Sequence, residues 1–221
     1  MSWNEALYRY QQKYGGQLLA GESDDALLIL SWKDRPLAVD LAVVDAGRGA
    51  TWSHARARIS VTLGKPYKLT IGAEKRTSAG VNSVLRAVPP VAGYSADFGC
   101  PEVTRKRLIR CDNPPFTKVV LGSLELRNAL LACPRDRVTV RPGPGGEGLH
   151  LITVSTDAPL YSLSGDGGGW NLDGDNEYVK RYGSEEEQAE LARRAEQFFP
   201  RMDRFLDLAR AVCGAVTQWP L

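Results

Sequence analysis

The chain has 221 residues, 43% of them hydrophobic, and its 28 basic side chains stand against 26 acidic ones. A chain of this length buries roughly 70% of its unfolded surface, so it needs neither disulfide nor metal to fold, and its apolar content excludes disorder. No apolar run approaches the ~18 residues of a membrane span, and the start MSWNEALYRYQQKYGG lacks the charged-then-apolar pattern of a secretory signal. A soluble, cytoplasmic protein is expected.

Ser2 with Glu5 makes a capping box, and Trp3, Leu7, Tyr10 and Tyr14 recur at helical spacing. They predict an amphipathic helix of about three to four turns, stopped by Gly15 and Gly16. Leu27–Trp32 reads as a strand, followed by the turn Lys33-Asp34-Arg35-Pro36. Leu37, Val39, Leu41 and Val43 then alternate with smaller or polar residues, the period of a half-buried strand. From His54 to Leu63 the alternation is cleaner still: Ala55, Ala57, Ile59, Val61 and Leu63 share one face, and His54, Arg56, Arg58, Ser60 and Thr62 the other. After Gly64-Lys65-Pro66, Tyr67, Leu69 and Ile71 continue the pattern. Together these predict an antiparallel meander with one wet face, on which Asp40 can pair with Arg56 or Arg58.

Thr77 or Ser78 can cap a short helix with Val81, Val84, Leu85 and Val88 as its stripe, ended by Pro89-Pro90. Residues 91–111 predict one or two strands ending in Thr104-Arg105-Lys106-Arg107. Asp112-Asn113-Pro114-Pro115 breaks them, and one helix is expected between Phe116 and Ala132. Arg137–Arg141 and Leu149–Val154 flank PGPGGEG, a glycine-rich hairpin connection. Ser184 and Glu187 form a second capping box, and Phe199, Met202, Leu206, Ala209 and Cys213 make a helical stripe with Gly214 at the exit. Pro200 must kink this helix or divide it. The order predicts an α+β fold: antiparallel sheet or sheets of about six to eight strands, amphipathic helices on one face, and a long C-terminal helical segment over 184–214 kinked at Pro200. A single domain spanning 1–221 is expected, with a suspected strand-helix duplication between 27–88 and 94–132.

Charge is unevenly spread. Residues 1–47 hold four basic and seven acidic side chains, residues 48–141 seventeen and six, and residues 142–221 seven and thirteen. The basic middle has two readings: internal pairing with the acidic ends, which is preferred, or an anion-binding face for nucleic acid or phosphate built on Arg56, Arg58, Arg105 and Arg107.

Cys100, Cys111, Cys133 and Cys213 form no CxxC, and the histidines are His54 and His150, so no zinc site and no disulfide framework is expected. Cys133 and Cys213 read as core residues, whereas Cys100 and Cys111 bracket a basic strand and read as more exposed. Residues 156–183 lack periodicity, and a loop of that length is a place for ligand contacts by Asp166, Trp170, Asp173 and Asp175. Aligned as a calcium loop from Asn171, the segment puts Asn176 where glycine belongs and Tyr182 where glutamate belongs, so the match fails. No phosphate-binding loop, dinucleotide fingerprint, zinc-protease or nucleophile-elbow motif occurs, and no cofactor is expected.

Over residues 93–154, GYSADFGC followed by NPPFTKVVLGSLELRNALL and a glycine-loop hairpin resembles domains in bacterial proteins of unknown function, with Leu124, Leu126, Arg127, Leu130 and Leu131 carrying the likeness. The resemblance implies the same α+β fold and no activity. The leading expectation is a non-enzymatic binding or scaffolding protein acting through a protein surface. The alternatives are a nucleic-acid or phosphate binder using the basic middle and an enzyme with its site, containing paired acids or His150, under the 156–183 loop.

Overall fold

A computed structural model describes residues 3–21, 25–47, 50–72, 98–156 and 182–219. The helix predicted over 77–88 and the loop over 157–181 lie outside the described residues. The described strands are β1 (Gln17–Leu19), β2 (Leu27–Trp32), β3 (Arg35–Gly47), β4 (Ala50–Thr62), β5 (Leu69–Ile71), β6 (Ile109–Cys111), β7 (Asp136–Pro142) and β8 (Leu149–Thr156). They form one antiparallel sheet in the order β1-β2-β3-β4-β8-β7-β5-β6. The described helices are α1 (Trp3–Tyr14), α2 (Pro101–Thr104), α3 (Pro114–Gly122), α4 (Leu124–Ala132), α5 (Glu185–Glu196) and α6 (Phe198–Thr217). This is the α+β fold that the hydrophobic periods predict. Among the described residues, no helix is long and apolar enough to cross a membrane.

The chain forms two compact units, one from Met1–Ala57 and Thr156–Asp203, the other from Arg58–Ser155 and Arg204–Leu221. In the first unit, α1 buries Trp3, Ala6, Leu7 and Tyr10, while Tyr14, expected on the same stripe, is largely exposed. The Trp3 indole donates to the carbonyl of Ala26 at 2.8 Å, and Asn4 Oδ1 accepts the Ala26 amide at 2.7 Å. These two bonds tie the helix to the start of β2. Gly16 ends the helix at φ +103, where an added Cβ would lie 2.6 Å from the Ile29 carbonyl oxygen, so no other residue fits. The two-residue turn between β2 and β3 places Lys33 and Asp34 at φ +48 and +61, the left-handed conformation that such hairpins demand.

In the second unit, β5 does not continue the meander from β4. It lies between β6 and β7, with Leu69 opposite Cys111 and Val140 and Ile71 opposite Ile109 and Val138. The β7–β8 hairpin occupies the place beside β4 that the sequence assigned to β5. A hydrogen bond from Leu63 to the Gly148 carbonyl (2.9 Å) fixes this arrangement at the hairpin end. Thr104-Arg105-Lys106-Arg107 is not a strand: Pro101 opens the short helix α2, and its backbone bonds run from Arg105 to Pro101 and from Arg107 to Val103. The single helix expected over 116–132 is two. Ser123 is extended, and its hydroxyl accepts the Leu126 amide to cap a fresh start for α4. The leucine pattern then divides, with Leu126 and Leu130 buried and Leu124 and Leu131 exposed.

At the C-terminal end, Ser184 and Glu187 bond reciprocally as a capping box for α5. The helical segment is divided at Gln197 rather than kinked at Pro200, and it runs past Gly214 to Thr217. Starting α6 at Phe198 puts Pro200 in a first turn, where its missing N–H has no intrahelical duty. More than a single stripe of α6 is buried, since Phe205, Leu208, Ala211 and Val212 join Met202, Leu206 and Cys213.

Gly148 sits at φ +82 with an added Cβ only 2.9 Å from the Leu63 carbonyl oxygen. Gly148→Ala is therefore expected to lower stability by about 1–3 kcal/mol through backbone strain and collision, read as a lower urea midpoint.

Candidate anion-binding face

The residues singled out in the sequence go to different environments. Arg56 holds Asp40 with both oxygens, at 2.9 and 2.7 Å, the cross-strand pair the alternation predicts. His54, half-buried, places Nδ1 2.7 Å from the carbonyl of Thr156. Arg58 lies half-buried on β4, and Arg105 is exposed at the end of α2. Asp166, Trp170, Asp173 and Asp175 lie outside the described residues.

Arg107 is buried. Its guanidinium donates to the carbonyls of Asp136 (3.0 Å), Leu130 (2.6 Å) and Cys133. Leu130 and Cys133 belong to the C-terminal turn and cap of α4, whose carbonyls have no intrahelical donor and carry the negative end of the helix dipole. A planar fork with five N–H groups satisfies that cluster, which a lysine ammonium on a single stem cannot match. The position reads in sequence as one cation in a basic run; only the fold shows it to be a structural clamp.

His150 is also built in. Tyr67 donates its backbone amide to Nε2 at 2.9 Å, which leaves the proton on Nδ1 to donate to the Gly148 carbonyl at 2.8 Å. Thr117 donates its hydroxyl to Asn113 (2.9 Å), so the buried Tyr67 phenol donates to Thr117 Oγ1 at 2.7 Å, its ring edge-on to Phe116. All four cysteines are buried free thiols, which corrects the exposed reading of Cys100 and Cys111. Burial pushes the Cys111 thiol above its ordinary range. Burial, with Asp136 adding to it, pushes Cys133 up to about 12. Neither thiol is poised as a thiolate nucleophile. Among the described residues, no group of three or more His, Cys, Asp or Glu side chains gathers to hold a metal.

Strand register assembles a different set of cations. Thr70 of β5 stands opposite Arg110 of β6 on one side and Thr139 of β7 on the other. Alternation puts Lys68 on the same face as Thr70, and Arg137 and Arg141 on the same face as Thr139. The bond from Gly143 to the Leu149 carbonyl (2.8 Å) continues the row through the hairpin to Thr153, and the Leu63–Gly148 bond carries it on to Arg58 of β4. The opposite face holds Leu69, Ile71, Ile109, Val138, Val140, Ile152 and Val154, all buried. Arg110, Arg137, Arg141 and Lys68 are exposed, and the threonines between them are half-exposed. Asp136 points to the core side, and Asp112 accepts the Lys68 amide at 2.8 Å. The second unit as a whole carries seventeen basic and eight acidic residues, against eleven and eighteen in the first.

Compared with known proteins, the chain matches no family model and no curated sequence.

Three outcomes follow from the buried groups. Arg107→Lys is expected to cost about 2–3 kcal/mol in urea unfolding, because it strands carbonyls at the end of α4. A thiol reagent at neutral pH is expected to modify none of the four cysteines in the folded protein and all four in denaturant. Because the folded Cys133 value is raised, its stabilising contribution is whole below the ordinary thiol range and is lost as pH rises toward 12; Cys133→Ala should flatten that alkaline decline.

Proposed function

We propose that the chain is a non-enzymatic binding protein whose working surface is the solvent side of β5, β6 and β7, and that its partner is anionic. The observation that carries this reading is the cluster of Lys68, Arg110, Arg137 and Arg141 around the register-paired Thr70 and Thr139. Lysine, arginine and threonine side chains on one face supply a field and a set of hydrogen-bond donors suited to a polyanion. The role given to Arg56 and Arg107 in the sequence passes to these residues, because the first holds Asp40 and the second clamps α4. The groups best suited to acid-base or nucleophilic chemistry, His150, Tyr67, Cys111 and Cys133, are occupied in structural bonds or kept protonated by burial, which supports binding over turnover.

Inorganic polyphosphate immobilised on a column tests the reading. The unmodified chain is expected to be retained at low ionic strength and released as salt rises. An Arg137→Gln, Arg141→Gln double variant should elute markedly earlier, while Arg105→Gln, at the C-terminal cap of α2, should elute with the unmodified chain. Passage of the unmodified chain without retention, or equal retention of the double variant, would overturn it.

A further inference from the structure

We infer that this face takes the phosphodiester backbone of a double-stranded nucleic acid without reading its sequence, a step that rests on the binding role proposed above. The chemistry of the face is predominantly cationic, with the exposed Asp112 carboxylate beside Lys68. Arg58, Arg110, Arg137, Arg141 and Lys68 offer only donors, and Thr70, Thr139 and Thr153 lie between them in one cross-strand row. Phosphate oxygens are acceptors only, and backbone contacts in nucleic-acid complexes come from arginine, lysine and small hydroxyl side chains.

Two features separate this partner from its rivals. A protein interface draws most of its energy from aromatic or apolar anchors in a desolvated centre. A single strand is held by stacking its bases on aromatic side chains. On β5, β6, β7 and β8 the described rows of this face contain no aromatic residue, and their leucines, Leu108, Leu149 and Leu151, are half-buried. What remains is a patch of cations and hydroxyls with one carboxylate, Asp112, beside Lys68. Alternate residues on a strand lie about 6.8 Å apart and neighbouring strands about 4.8 Å apart, so Arg137 and Arg141 stand roughly 14 Å from each other along β7, with Arg110 about 10 Å to the side. A duplex presents one charge per about 1.7 Å of its axis, so a face of that length meets several phosphates together. Without groups aimed at base edges, such contacts position a duplex and carry no sequence information.

The test is fluorescence anisotropy with three labelled probes: a duplex of about two helical turns, one of its single strands, and a polyglutamate peptide, titrated at salt concentrations from roughly 50 to 200 mM. The duplex is expected to bind tightest, and two duplexes of unrelated sequence to bind alike. If all five cations engage, the logarithm of the binding constant should fall against the logarithm of salt with a slope of about −4.5, roughly a 500-fold loss across that range. Arg141→Gln and Lys68→Gln should each reduce the slope by about one and weaken both duplexes by the same factor. Both are surface positions at strand ends, and the slope of the unmodified chain tests the inference without any substitution. Equal or tighter binding of polyglutamate, preference for the single strand, discrimination between the two duplexes, or a slope unmoved by the substitutions would each overturn it. If polyphosphate retention survives any of those results, the anionic binding role stands and only the duplex assignment falls; if retention also fails, both fall.

Discussion

The pairing of β5 between β6 and β7 decides which side chains of the second unit meet water. A strand's side chains alternate with a period of two, so a slip of one residue would carry Leu69 and Ile71 to the solvent and Thr70 to the core. Burial of the leucine, isoleucine and valine rows therefore holds the register, and the register in turn brings Arg110, Arg137, Arg141 and Lys68 onto one surface. The charged face follows from how the core is packed. No cation in it needs a neighbour in sequence, which is why it draws on three strands separated by long stretches of chain.

The polar groups that enter the core serve the same arrangement. Arg107 closes the open end of α4, and His150 binds the amide of Tyr67 and the carbonyl of Gly148, so segments remote in sequence share a satisfied polar interior. An unpaired guanidinium in such a place would be costly, and one that donates to three carbonyls around the end of a helix is complementary to them. The same residues that attract attention as catalytic or ligand-binding candidates in a linear reading are thus accounted for by the folding of the second unit.

Much of the fold was legible because it rests on local periods. The alternation from His54 to Leu63 predicted which residues of β4 are buried, Asp40 and Arg56 met as two-strand geometry requires, and the Ser184–Glu187 capping box formed where the spacing put it. The order of strands was not legible, because the β7–β8 hairpin that displaces β5 from β4 lies far along the chain and leaves no trace in the local pattern. The role of Arg107 was hidden for a related reason: its partners are backbone carbonyls, which every residue possesses. The division at Ser123 was marked by a serine three residues before Leu126, a cap signal masked by the continuous leucine content around it. The cationic set on β5, β6 and β7 was missed because the sequence groups arginines by proximity along the chain, whereas the sheet groups them by parity and register.

The clamp on α4 differs in kind from several of the ties of the first unit. A guanidinium keeps its proton throughout the range in which proteins fold, and carbonyls do not titrate. In the first unit the Arg56 bond, the Tyr10 and Tyr14 phenols on Asp203, and the cap at Ser184 all end on carboxylates. The Glu187 carboxyl is held below its usual range by the Ser184 amide and hydroxyl, so its contribution is present at neutral pH and disappears as acid titrates it. Acid consequently removes what the Glu187 carboxylate adds to the start of α5 and leaves the guanidinium on its carbonyls at the end of α4 untouched.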